Sequence, residues 1–361
     1  MKKTVKALII AALIMHVSCQ GTSTNVRFNV SEEKKAVEVY VNDIYFTSFI
    51  YPENLERPCL YPIKTPSGKF ITRGFPLNPR PFERTDHPHH IGLWFNFGDV
   101  NGLDFWNNSY SIKPEDKDKY GIILFDKVIE ADNRKGRLVV QSKWTDNNGS
   151  ILLNEKTTYI FEGLKNDIRT IERVTELTAN KEVTFTGNKE GLIGLRVDRT
   201  FEEPTQKAEK FLDANGNVTE TPALNNEGVN GFYRNAEGLT GGDVWGKRSK
   251  WVALKADKEG ETITIVIMDN KNNPNYPAWS HARGYGLFAA NNLGGKVVDK
   301  NSDPVELKLS SGERVTFKHK VIIAGDMSDQ EINRLSDDVN CTWITHRSRN
   351  QKPRSHDAPG F

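Results

Sequence analysis

The sequence predicts an all-β fold, a large antiparallel β-sandwich with one short C-terminal helix. Three observations carry that prediction. Runs in which apolar and polar residues alternate, clearest at Ile171–Leu177, have the period of two that marks a strand with one wet face. Short turns such as NNG and GLKND join consecutive runs, and no strand–helix–strand rhythm intervenes. A content of 28 glycines, 16 prolines and 10% aromatic residues favours a turn-rich β protein over a helical bundle.

Residues 1–18 have the form of a secretory signal. Lys2, Lys3 and Lys6 precede an apolar run, Ala7 to Val17, that is too short to span a bilayer. The composition turns polar directly after Ser18-Cys19, as at a bacterial lipoprotein processing site. Cys19 is therefore expected to carry a lipid and residues 19–24 to form a tether, with ordinary cleavage nearby as the alternative. The expected location is the bacterial cell envelope, on the periplasmic or outer-membrane surface, with the membrane touched only through the anchor.

Strands are expected at Asn25–Val30, Ala36–Val41 and Ile44–Tyr51, with Asn42-Asp43 as a hairpin turn. Residues 52–81 read as a long structured loop. Further strands follow at Gly92–Phe97, Gly121–Ala131, Arg137–Thr145, Ile151–Phe161 and Asp167–Leu177, then two short ones within 181–201. Residues 202–242 are the least regular part, and strands resume at Lys247–Ala256, Glu261–Met268, Gly284–Asn291, Val305–Leu309 and Arg314–Ala324. Ser328, with Glu331 three positions on, is a capping box opening the one convincing helix. With no repeat and no linker, residues 25–346 make a single domain, and the basic tail 347–361 is expected to be flexible.

With 49 basic and 47 acidic side chains there is no nucleic-acid footprint. P-loop, dinucleotide-binding and G-x-S-x-G signatures are all lacking, which removes those chemistries from contention. Cys59 and Cys341 are either bridged or two separate buried thiols.

The densest chemistry lies in Thr85–Trp106, which gathers three histidines, three acids and two tryptophans in 22 residues. Pro88 stiffens the presentation of His87, His89 and His90, whose imidazoles could converge on one divalent metal ion of unknown identity, with Asp86 or Asp99 completing the site. The alternative is that they hydrogen-bond the loop and touch a substrate. Glu190 and Arg196 would share a strand face, as a substrate clamp or a cross-strand ion pair. His281 beside Arg283 would be held neutral, as a base, a ligand or a turn residue. Trp94, Trp106 and Trp245, the last paired with Arg248, would stack on sugar rings or fill core. Lys250, Lys255 and Lys258 read as solvated.

HPHH followed by GLWF and GDVNGLDFW, with the stretches Asn188–Arg196, Val244–Val252 and Ser280–Asn291, resembles the PmoA-like family of bacterial proteins. The oxygenase label attached to that family does not suit a mature chain without a transmembrane segment. By fold analogy the resemblance implies a supersandwich of the galactose-mutarotase-like kind, with a cleft on one sheet that takes a sugar or glycan. Two positions depart from the family pattern: Ile91 stands for an expected Arg and Asn270 for an expected His. The function expected is an exported lipoprotein performing a metal-assisted lyase, hydrolase or epimerase step, with His281 and Glu190 moving protons. Arg196, Arg248, Arg283 and Tyr285 would bind substrate beside the tryptophans. A glycan-binding lipoprotein without catalysis is the alternative, and a structural or assembly lipoprotein the third reading.

Overall fold

The computed structural model describes residues 25–165 and 167–337. The signal segment 1–18, Cys19 with the tether 19–24, Cys341 and the tail 347–361 lie outside the described residues.

In chain order the strands are β1 (Val26–Ser31), β2 (Ala36–Val41), β3 (Ile44–Ile50), β4 (Cys59–Leu60), β5 (Leu93–Phe97), β6 (Ile122–Asp132), β7 (Arg137–Thr145), β8 (Ile151–Gly163) and β9 (Arg169–Ala179). They continue with β10 (Val183–Thr186), β11 (Gly191–Arg196), β12 (Phe232–Asn235), β13 (Trp251–Lys258), β14 (Glu261–Asp269), β15 (Trp279–Arg283), β16 (Leu287–Asn291), β17 (Glu306–Leu309) and β18 (Arg314–Ala324). One eight-stranded sheet has the order β1-β2-β3-β4-β5-β11-β16-β15, the other β12-β13-β14-β18-β9-β8-β7-β6, and β10 pairs with β17 apart from both. Pairing is antiparallel throughout. The all-β sandwich expected from the alternation is what the chain forms.

The alternation decides which face each strand buries. In β9, Ile171, Arg173, Thr175 and Leu177 are buried while Glu172, Val174 and Glu176 are half-buried. The inward polar pair is satisfied internally: Arg173 donates to Glu155 (2.7 Å) and Thr175 (2.9 Å), and Trp144 Nε1 also donates to Glu155 (2.7 Å). A buried network costs little when every member is bonded. Apolar packing surrounds it, with Phe95 of the first sheet against Trp144 and Phe317 of the second.

Three differences from the sequence reading have physical causes. Residues 246–249 run beside β15 instead of starting β13: Gly246 and Ser249 donate to Ser280 and Ala278 carbonyls, at 2.8 and 3.0 Å. Trp279–Arg283 is an edge strand, hidden in the sequence because burial on both sides removes its alternation. Lys258 is not solvated but buried against Asp198 at 2.5 Å, whereas Lys250 and Lys255 pair with Asp337 and Asp326 nearer the surface. Residues 329–337 are helical. Ser328 Oγ accepts from Glu331 N (3.3 Å) and Glu331 Oε2 accepts from Ser328 N (2.8 Å), the reciprocal capping box.

Every residue of β5, β11 and β16 is buried, so these central strands are covered on both faces. The second sheet covers the inner face. The outer face carries its own cluster of Cys59, Tyr61, Trp94, Trp106, Leu287 and Ala289, and it is here that the histidine loop docks.

Candidate active site

Strand register lays down the floor. Trp94 stands opposite Gly194, Gly194 opposite Ala289, and Ala289 opposite His281, a row across four strands. The two small residues at its centre leave room for indoles. A Cβ on Gly194 would come within 2.5 Å of Trp94 Cζ2 and 2.9 Å of Trp106 Cη2, so only glycine admits both rings. Trp94 Nε1 donates to Asn96 Oδ1 (3.1 Å), and Asn96 Nδ2 donates to the Phe105 carbonyl (2.6 Å), which ties the loop after β5 to its own strand. Trp106 then stands 6.0 Å from His90 and 6.5 Å from His281 between ring centroids. One indole thus joins the histidine loop to β15.

The loop itself is shaped by a residue the sequence reading passed over. Arg73, buried, donates to the carbonyls of Arg84, Asp86, His87 and His90 and to Asp86 Oδ1. Five acceptors on one guanidinium replace the ladder bonds that an irregular loop lacks. Arg196 closes the arrangement, donating to Asp86 Oδ1 (2.7 Å) and to His90 Nδ1 (3.3 Å). Burial alone would raise the Asp86 pKa, but Arg196, His87 and Arg73 outweigh it and hold the carboxyl well below its usual range. Arg196 therefore pairs with Asp86 and not with Glu190. No local signal marks Arg73, which lies in the irregular stretch before the motif.

The imidazoles are close: His87 and His90 stack at 4.8 Å with 2° between planes, and His89 meets His90 at 4.3 Å. Stacked rings project their in-plane lone pairs side by side, so His87 and His90 do not converge on one ion. Asp86 Oδ2 is bonded to His87 Nδ1 (2.5 Å), and Asp99 lies beyond the far end of β5, its carboxylate accepting from Gly102 N at 3.0 Å. Asp99 is thus a turn residue, separated from the histidines by the strand. Among the described residues no group of three His, Cys, Asp or Glu side chains is arranged to hold a metal ion. Burial, then Arg57, lowers His89 to about 2, and burial with His89 and Arg196 lowers His90 strongly; both rings are neutral, with Nε2 unpartnered.

At the other end of the row, Glu190 Oε2 lies 3.8 Å from His281 Nδ1. The imidazole hydrogen-bonds the Lys189 backbone and leaves Nδ1 without a partner. Burial, then Arg283, depresses His281 to about 3, so it is a neutral hydrogen-bonding group and a weak base. Burial raises Glu190, against the smaller pull of Lys189, bringing it towards the range useful for proton transfer.

The remaining expected residues divide. Arg283 lies over the half-buried Trp245 at 4.5 Å, and Tyr285 stacks on His87 at 5.0 Å with Arg196 over its ring. Arg248 does not join them: its guanidinium is spent on the carbonyls of Pro277, Asn275 and Tyr276. Trp94 and Trp106 are fully covered, so they form the floor and offer no open face for stacking. Ile91 packs against the outer apolar cluster. Asn270 donates its backbone N–H to Asp269, whose carboxylate also accepts from Asn273, Asn292 and Ala278.

Residues 36–337 match the model of a family described as a family of unknown function, DUF6807. The chain belongs to the DUF6807 family. No curated protein matches it. Among solved structures it is similar to a polysaccharide lyase (11% identity, 86% of this chain and 34% of that one, TM-score 0.30). It is also similar to an alpha-galactosidase from Lactobacillus brevis (7%, 84% and 40%, 0.34) and a galactose mutarotase related enzyme from Lactobacillus acidophilus (8%, 84% and 99%, 0.28). This DUF6807 chain therefore spans well under half the length of the first two. At these TM-scores the likenesses carry no argument about activity.

Proposed function

We propose that the outer face of the first sheet binds a carbohydrate and that Glu190 moves a proton on it, with neutral His281 holding the reacting hydroxyl. One observation carries this reading: the Glu190 carboxylate and the unpartnered His281 Nδ1 are 3.8 Å apart, close enough for one hydroxyl to bond both. Trp106 Nε1, His89 Nε2 and His90 Nε2 are further buried polar atoms without partners beside them. Unsatisfied groups of this kind cost free energy until a ligand bonds them. Neutral donors and acceptors next to Tyr285 and Trp245 suit a hydroxyl-bearing ring. Lyase, hydrolase and epimerase steps all require the proton that Glu190 is placed to move. No step is routed through a metal ion, since His87 and His90 are stacked and no three ligating side chains are grouped among the described residues. A binding-only role has less support, since Trp94 and Trp106 present no platform. The reading includes Cys19 as the lipid-bearing residue of an exported protein.

Turnover of a panel of sugars, glycosides and 3-keto sugars, followed by NMR, tests the proposal. Glu190→Gln is expected to abolish conversion while the protein stays folded. Conversion that persists in Glu190→Gln overturns the assignment.

A further inference from the structure

Two guanidinium groups of this face, Arg57 and Arg283, lack a carboxylate in direct contact. Asp86 serves both Arg73 (2.9 Å) and Arg196 (2.7 Å), so one negative charge is divided between two buried cations. Arg57, 6% exposed, lies 5.2 Å over Trp94 and gives one nitrogen to the His89 carbonyl, while its Nε has no partner. Arg283 stands next to His281 in sequence and over Trp245. Among the described residues neither Arg57 nor Arg283 forms an ion pair with a carboxylate. Of the buried arginines elsewhere, Arg84 and Arg199 pair with Glu202 and Arg173 with Glu155, while Arg169 bonds the Val41 carbonyl. Asp104 lies within electrostatic reach of Arg57, and Glu202 of Arg73 and Arg196, whereas Arg283 is left with Glu190, which is itself in contact with Lys189 at 3.3 Å.

A desolvated cation without a counter-charge is costly, and a ligand anion that supplies the charge recovers that cost on binding. The same cations act on the histidines: after burial, Arg57 lowers His89, His89 and then Arg196 lower His90, and Arg283 lowers His281. Arg57 is sealed beneath the loop. Arg283 is half-exposed, and its planar fork, over an indole, can meet an oxyanion bidentately.

We propose that the ligand of this face is an anionic sugar whose carboxylate or sulfate group is held by Arg283. The inference rests on the carbohydrate reading above and adds the charge of the substrate to it. An oxyanion at Arg283 also places the sugar ring towards His281 and Glu190.

Calorimetric titration of the full-length protein with glucuronate, galacturonate and glucose 6-sulfate, beside glucose and galactose, tests this. At least one anionic sugar is expected to bind tenfold or more tightly than its neutral counterpart, and the preference to shrink as salt is raised. Arg283→Gln should collapse the ratio of anionic to neutral affinity, and Arg283→Lys should restore part of it; circular dichroism confirms that both variants fold. Carboxylate and sulfate arms tell the two oxyanions apart. Neutral sugars binding as well as acidic ones, or a preference that survives Arg283→Gln, overturns the inference and leaves the carbohydrate reading standing. Failure of every sugar to bind the folded wild type overturns both.

Discussion

Replacing Gly194 by alanine tests whether the site is built from the sheet upward. The added Cβ would lie 2.5 and 2.7 Å from Trp94 Cζ2 and Cε2 and 2.9 Å from Trp106 Cη2, whereas ordinary contact begins at 3.4 Å. The Trp94 ring would have to retreat by roughly 0.9 Å, and it cannot swing freely, because Asn96 holds its Nε1 and the Phe105 carbonyl holds Asn96. Overpacking of a tight cluster costs about 1–3 kcal/mol, and this position belongs at the upper end because two rigid rings share the added methyl. Trp106 would be pushed towards His90 and His281, so ligand affinity should fall at least tenfold. Urea denaturation followed by near-ultraviolet circular dichroism gives the stability change and the indole environment together. A variant within 0.5 kcal/mol of wild type with an unchanged tryptophan signal would show that the indoles do not lie on Gly194.

Two further variants test the same arrangement, and a third tests the anchor read from the sequence. Asp86→Asn should cost about 3 kcal/mol or more, since it removes the carboxylate that directly pairs with both buried guanidinium groups of Arg73 and Arg196. Because the folded pKa of Asp86 lies below its unfolded value, its stabilisation is present above the unfolded pKa and lost as pH falls through the folded one; the wild-type advantage over Asp86→Asn in chemical denaturation should vanish in acid. Glu190 has the opposite sign: its folded pKa is raised, so ionising it opposes folding as pH climbs above 4.5, and Glu190→Gln should melt higher than wild type at pH 7 but not at pH 4. Cys19→Ala should release the protein from membranes or leave it unprocessed, and intact-mass analysis of the wild type showing an unmodified start elsewhere would refute the lipid anchor.

The sandwich was legible because its meander strands alternate and their turns are short, as in Arg169–Ala179 and its neighbours. Trp279–Arg283 was not, since a strand covered on both sides loses the period of two, and His281 was therefore expected in a loop. The motif Asp86-His-Pro-His-His90 did mark a loop whose rings gather against the Trp94 and Trp106 floor, because a proline-stiffened run of imidazoles is rare in ordinary surface sequence. Its chemistry could not be read from spacing alone. Ring orientation is set by Arg73 and Arg196, one before and one far behind the motif, and stacking of His87 on His90 decides where the lone pairs point. Arg248 shows the converse limit: its neighbour Trp245 reaches the site, yet Arg248 turns away to three carbonyls of the loop before β15.

The most direct test of where this protein works is a crystal structure of the full-length protein soaked with the sugar that binds best. The ligand is expected beside Arg283 and Tyr285, with one hydroxyl within hydrogen-bond distance of both Glu190 and His281 Nδ1. The 300 Å³ cavity lined by Tyr51, Pro52, Arg57 and Phe125 is the alternative seat. A sugar bound there, with Glu190 and His281 untouched, would contradict the assignment of the outer face as the functional site.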